Sequence, residues 1–272
     1  MEQLDWIEGK GFEALCGQCA TLVDGPVYTL LDPTKYAVAV GKGDTAQLVV
    51  VHTKPASVTL SIDVGKNAKL SVVELFIGEA FVDCSIHQEG GSLCEVTLAE
   101  LASANVSCRI DLDGAFARSE LDGLFLATDK EHCEVDVWVN HNVPDCSSHS
   151  LVKGVAGGEA TGTFRGLVYV APDAQRTDAQ QTSRNIELST GARIVAKPQL
   201  EIYADDVKCT HGATVGQMDD EAILYMRQRG LGEAQARRLQ MEGFVGAIAA
   251  HCAVKPVCEA LYRQIVAKLE RM

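Results

Sequence analysis

The chain lacks any excess of positive charge. Lys and Arg number 24 against 37 Asp and Glu, giving a net charge of −13 and a pI near 5.0 over 272 residues. A field of that sign repels phosphate, which argues against general nucleic-acid binding and against docking on an anionic membrane surface. Long apolar runs are missing too. The most apolar stretch, Gly243 to Val254, falls short of the roughly 20 residues of a membrane span and contains His251. The opening segment MEQLDWIEGKGFEAL has no apolar core of an export signal. The expectation is a soluble, cytoplasmic protein with no membrane and no nucleic-acid partner. Aromatic residues make up only 6%, a poor supply of the platforms that line a sugar-cleaving groove, so a solenoid carbohydrate-active enzyme matches badly.

Nucleotide and hydrolase motifs are absent as well. There is no G-x-x-x-x-G-K-[ST], no G-x-S-x-G and no H-E-x-x-H. Ser150-Leu151-Val152-Lys153 has the S-x-x-K form without the S-D-N and K-T-G that accompany it in penicillin-binding proteins. Gly41-Lys42-Gly43-Asp44-Thr45-Ala46 fits the dinucleotide pattern G-x-G-x-x-A. The next residues, QLVVVHTKP, are rich in β-branched side chains and end in Pro55. They cannot open the helix whose N-terminus would hold a pyrophosphate. The chain therefore carries no P-loop of its own and is expected to hydrolyse no ATP by itself.

What is present is alternation. From about Tyr36 to Gly216, short segments such as QLVVVH, SVTLSIDVG, KLSVVELFIG and CEVDVWVNH alternate every second residue. Glycine-centred turns recur at Gly43, Gly65, Gly91 and Gly114, in steps of 22, 26 and 23 residues, then more loosely at Gly158 and Gly191. One rung of a parallel β-solenoid consumes about that much chain. A β-sandwich is the rival, but Asn-Gly hairpin signals are absent. From Asp219 the period becomes helical: a first helix capped by Asp219 and stopped at Gly230, a second from about Glu233 to Cys252, and a third after Pro256. The third carries a stripe of Val257, Leu261, Ile265 and Leu269, which suits packing on neighbouring helices or a partner's groove. The division read from these patterns is a short N-terminal segment (1–35), a mainly β solenoid core (36–217) and a C-terminal helical domain (218–272).

Ten cysteines without an export signal read as mostly reduced, buried thiols. Cys16-Gly17-Gln18-Cys19 is a lone C-x-x-C, half a zinc site at most. His132, Cys133, His141, Cys146 and His149 fall within 18 residues and are of types that bind zinc or iron. They support an alternative function as a stand-alone iron or zinc metallochaperone, although a solenoid would turn some of them to opposite faces.

The segments VNHNVPDCSSHSLVKGV and TFRGLVYVAPDAQRTDAQQTSRNIELSTGARIVAKPQLEIYADDVKCTHGATVGQMDDEAILYMRQRG resemble the SufB/SufD family of iron–sulfur cluster assembly scaffolds. The part KPQLEIYADDVKCTHGATVGQMD is the most specific. The resemblance implies a right-handed parallel β-helix with a C-terminal helical domain. It also implies a SufC-type ABC ATPase bound through the C-terminal helices, and a SufB-type scaffold, or a second copy, paired through a β-helix edge. Cys209-Thr210-His211-Gly212 is similar to the SufD form of that segment rather than to the Cys-Glu-His-Glu usual in SufB. By that match, His211 and Cys209 would face a transient iron–sulfur cluster between subunits, and both residue types are iron ligands. A flavin at the level of the whole complex is left open. Members of the family usually carry an N-terminal helical region, where about 35 residues precede the first clear strand here.

Overall fold

The computed structural model describes residues 5–8 and 10–272. After a short 3-10 turn (Asp5–Glu8), seventeen strands run from β1 (Phe12–Ala14), β2 (Cys19–Leu22) and β3 (Val27–Leu31) to β17 (Val207–Gly216). Odd-numbered strands form one nine-stranded sheet and even-numbered strands an eight-stranded sheet. Each neighbouring pair is parallel and in register. Successive strands thus lie in different sheets, and each rung contributes one strand to each. This is a parallel β-helix; a sandwich with hairpins would pair consecutive strands antiparallel. β1 to β3 carry the coil back into the segment 1–35 that the sequence pattern set apart.

Strand residues alternate between the interior and the outside, as the two-residue period dictates. In-register stacking then builds rows along the coil axis. One interior row reads Leu48, Val72, Val96, Leu121, Ser150, Gln181 and His211. Another reads Ala46, Leu70, Cys94, Ser119, Ser148, Ala179 and Cys209. Both begin apolar and become polar toward the C-terminal rungs. Rung length grows from the 24 residues between Thr45 and Lys69 to the 30 between Thr177 and Val207. The glycine spacing loosens after Gly114 because Gly158 and Gly191 belong to the other corner of the coil, where Gly158 stacks on Asp129 and Gly191 on Gly158. Gly91 takes φ +69 at its corner, and a Cβ on Gly114 would strike the Gly90 backbone, so stacked corners pack too closely for a side chain.

Three helices follow: α1 (Asp220–Gln228), α2 (Glu233–His251) and α3 (Lys255–Leu269). The Asp219 carboxylate accepts from the N–H groups of Glu221 and Ala222, and Gly230 sits at φ +97 beyond the α1 C-terminus. Pro256 stands in the first turn of α3, where its missing N–H costs nothing. The apolar stripe Val257, Leu261, Ile265 and Leu269 meets α2 residues Val245 and Ile248, and the two helices together cover the outer face of the nine-stranded sheet. The covered residues include Val49, Val51, Val73, Leu75, Leu124, Leu126 and Val155. Polar contacts join the same layers. Lys268 Nζ pairs with the Glu131 carboxylate at 2.5 and 2.7 Å, and Lys153 Nζ donates to the Phe244 carbonyl at 2.6 Å. No helix among the described residues is long and apolar enough to cross a membrane.

Candidate functional site

The coil ends in two edge strands, β16 (Arg193–Ile202) and β17, each bonded on one side only. Pro198 blunts the β16 edge, since proline offers no N–H to an incoming strand. β17 has one charged guard, Lys208, near its start; from Cys209 to Gly216, CTHGATVG, it carries no Asp, Glu, Lys or Arg and is mostly exposed. Natural proteins protect lone edges with charge, proline or a cover. An unguarded stretch suits pairing with another chain.

Cys209 and His211 lie on this strand. Their partners on β15 (Thr177–Glu187) are Ala179 and Gln181, both buried and inward-pointing, so Cys209 and His211 occupy the interior face of the last rung. Two residues apart on one strand face, their Cα atoms are about 6.5 Å from each other, and thiol and imidazole open onto the same volume. His211 is exposed and Cys209 half-buried. Burial, foremost, and the Asp178 carboxylate raise the Cys209 pKa, with the Ala179 backbone hydrogen bond opposing them. The thiol therefore keeps its proton at neutral pH, and iron binding would have to displace it.

Behind this pair the interior is unusually polar. Ser148, Ser150, Gln181, Ser183 and Asn185 are all buried. Asn185 donates to Ser183 Oγ at 2.9 Å and to the Thr214 carbonyl on β17 at 3.1 Å. His141 Nε2 lies 2.8 Å from Ser148 Oγ, and burial lowers its pKa to about 4, so the ring is neutral. Sequence reasoning does not single out Gln181 and its neighbours. Their signal is in TDAQQTSRNIE, which alternates like earlier strands yet places polar residues where those strands have Val and Leu.

The His132–His149 group is not brought together. On β12 (His132–His141), His132 faces outward, whereas Cys133 and His141 face the interior. Cys146 is buried just before β13 (Ser147–Ala156), and His149 points out of the opposite sheet, 3.4 Å from Glu120. Among the described residues no group of three or more His, Cys, Asp or Glu is arranged to hold a metal ion. Cys16 and Cys19 are exposed and free. The Gly41–Ala46 turn leads into a strand, Thr45–His52, as its β-branched residues required.

The model for the SufBD core domain of SUF-system iron–sulfur cluster assembly matches residues 31–244, including the whole terminal rung. The chain belongs to the SufBD family. Over 158 residues it is 37% identical to the iron–sulfur cluster assembly protein SufD of Escherichia coli, covering 58% of this chain and 36% of that one. It is 38% identical over 168 residues to a SufBD family protein of Mycobacterium leprae, covering 59% and 43%. A SufBD family protein of Synechocystis is 44% identical over 107 residues, covering 39% and 24%. This SufBD-family chain thus spans less than half the length of these relatives.

Proposed function

We propose that this SufBD-family chain is a SufD-like, non-catalytic scaffold subunit of a cytoplasmic iron–sulfur assembly complex. The observation that carries the reading is the placement of Cys209 and His211 on one inward face of an edge strand that is unguarded from Cys209 onward. A SufB-type scaffold, or a second copy, would extend the nine-stranded sheet from β17 and close the rung. The cluster, as cargo, would then sit between Cys209 and His211 and the partner's facing edge. A SufC-type ATPase would dock on the helices. The face available for it is the one turned away from the sheet, where Leu224, Tyr225 and Leu239 are exposed; the α3 stripe is already buried.

The joint between helices and solenoid supports a transmitted motion. Only residues 217–219 separate β17 from α1. α2 grips this joint: Arg237 reaches Met218 Sδ at 3.7 Å and Gln240 Nε2 donates to the Asp219 carbonyl at 3.4 Å. Displacement of the α1–α2 hairpin by ATPase dimerisation would thus pull directly on the strand that bears His211.

The test is iron and acid-labile sulfide content of the co-expressed complex, with His211→Ala beside His149→Ala. Cluster content should fall in the first and stay normal in the second, at matched complex yield and melting temperature. A well-folded His211→Ala complex with full cluster content would remove the site.

A further inference from the structure

Gln181 is an anomalous polar residue of the solenoid interior. It is 0% exposed, and neither its Oε1 nor its Nε2 has a hydrogen-bond partner among the described residues. Burying an amide with both ends unmet destabilises a fold. The fold does not demand it, because earlier rungs place Val72, Val96 and Leu121 at this position of the row. The opposite wall makes room for the amide. Gly166 stands there, on β14 (Thr161–Val170), and a Cβ on it would collide with the Gln181 carboxamide.

The next residue outward in the row is His211, with no strand between them. Parallel in-register partners lie about 4.8 Å apart and project from the same face, so Gln181 and His211 leave neighbouring positions of one interior row, with no hydrogen bond joining them in this structure. A histidine binds a metal through one ring nitrogen, and a hydrogen bond at the other fixes its tautomer and orientation. A carboxamide oxygen can accept that N–H, leaving its NH2 free to donate to a sulfide or thiolate.

We propose that Gln181 is the positioning residue of the cluster site: its carboxamide oxygen accepts the ring N–H of His211 and turns the other nitrogen toward iron. The proposal rests on the scaffold reading above, which assigns His211 to the cluster. Ser150, one rung further in, is the next polar member of this row below Gln181, and its hydroxyl is separated from the ring by Gln181 itself.

The variants are Gln181→Met, which keeps shape and removes both polar atoms, and Gln181→Glu, which keeps an acceptor. They are purified as the co-expressed complex beside wild type and His211→Ala. Iron, acid-labile sulfide and visible absorbance report the cluster, and melting temperature reports the fold. Gln181→Met should melt at or above the wild-type temperature, since an unmet amide is gone, yet lose cluster content roughly tenfold, the scale on which groups that orient metal ligands act. Gln181→Glu should recover most of the loss. A merely structural glutamine would move melting temperature and cluster content together, so full cluster content in Gln181→Met overturns the proposal. Equal depletion in both variants also overturns it, because the acceptor would then be irrelevant. Full cluster content in His211→Ala removes the site itself, which is distinguishable from failure of Gln181 alone: there, His211→Ala is empty and Gln181→Met is full.

Discussion

Lys268→Met should loosen the helical layer from the solenoid. Lys268 lies at the end of α3 with its side chain 2% exposed, and its Nζ spans to both oxygens of Glu131, in the corner before β12, 137 residues away in sequence. Removing one member of a buried ion pair costs about 3–5 kcal/mol, because the other charge stays behind without compensation. Glu131 is 26% exposed and its Oε2 also accepts the Thr128 N–H at 2.8 Å, so water and backbone take up part of that charge. A cost at or just below the lower end is expected, about 2–3 kcal/mol. For a chain of this size that lowers the melting temperature by roughly 4–12 °C. The double variant Lys268→Met/Glu131→Gln should recover much of the loss, because no lone charge remains. Thermal denaturation of the four proteins gives the coupling energy, and hydrogen exchange should show α3 amides opening in Lys268→Met before those of the inner strands. A Lys268→Met variant within about 0.5 kcal/mol of wild type, or a double variant no better than the single, would refute the idea that this pair fastens the layer.

Glu100 is buried inside the solenoid, and burial holds its pKa well above the ordinary 4.5, with only the weak Cys133 thiol opposing it. The unfolded chain ionises there while the folded chain keeps the proton, so stability is lost as pH rises past 4.5; Glu100→Gln should gain on wild type by about 1.4 kcal/mol per pH unit above 4.5 for as long as the folded carboxyl stays protonated, with the gap closing by pH 4, and parallel pH curves in chemical denaturation would contradict this. Leu224 and Tyr225 on α1 are 53% and 56% exposed. If the proposed SufC-type ATPase docks there, Leu224→Asp and Tyr225→Asp should abolish its co-purification with melting unchanged, whereas Leu261→Asp in the buried stripe should unfold the layer; retention of the ATPase by both α1 variants would misplace that surface.

Much of this fold is legible because the solenoid writes its period into the chain. Alternation in QLVVVH or CEVDVWVNH marks strands, and recurring glycines mark rung length. β1 and β2 escape such reading because FEA and CATL are short and largely exposed, so no buried face imposes alternation on them. The α3 stripe announces a buried face but not what buries it: Val257 and Leu261 look the same against a helix or a sheet. The His132–His149 group looks close in sequence. Adjacent strand residues such as His132 and Cys133 must point to opposite faces, and His149 lies in the other sheet. Cys209 and His211 stand out only by resemblance. Their shared face follows from their spacing, but its being the inner face of a terminal rung needs the register.

The two ends of the helical layer are held very differently. α3 and the C-terminal half of α2 are fixed by apolar contact with the sheet, by Lys268 on Glu131, by Lys153 on the Phe244 carbonyl, and by His251 Nδ1 at 3.5 Å from Asp122. α1 buries only Ile223 and is tied to α2 by exposed ion pairs such as Arg227–Glu233, each worth little in water. Segments with few buried contacts open at low free-energy cost. An external pull on this layer would therefore move α1 first, while α3 stays with the solenoid. Because α1 is joined to β17 by three residues, the loosest helix is attached to the only strand of its sheet at the open end that has no outer neighbour. Force applied there is opposed at the joint by the α2 contacts of Arg237 with Met218 and Gln240 with Asp219, and what passes them would reach the Cys209–His211 face before the inner rungs.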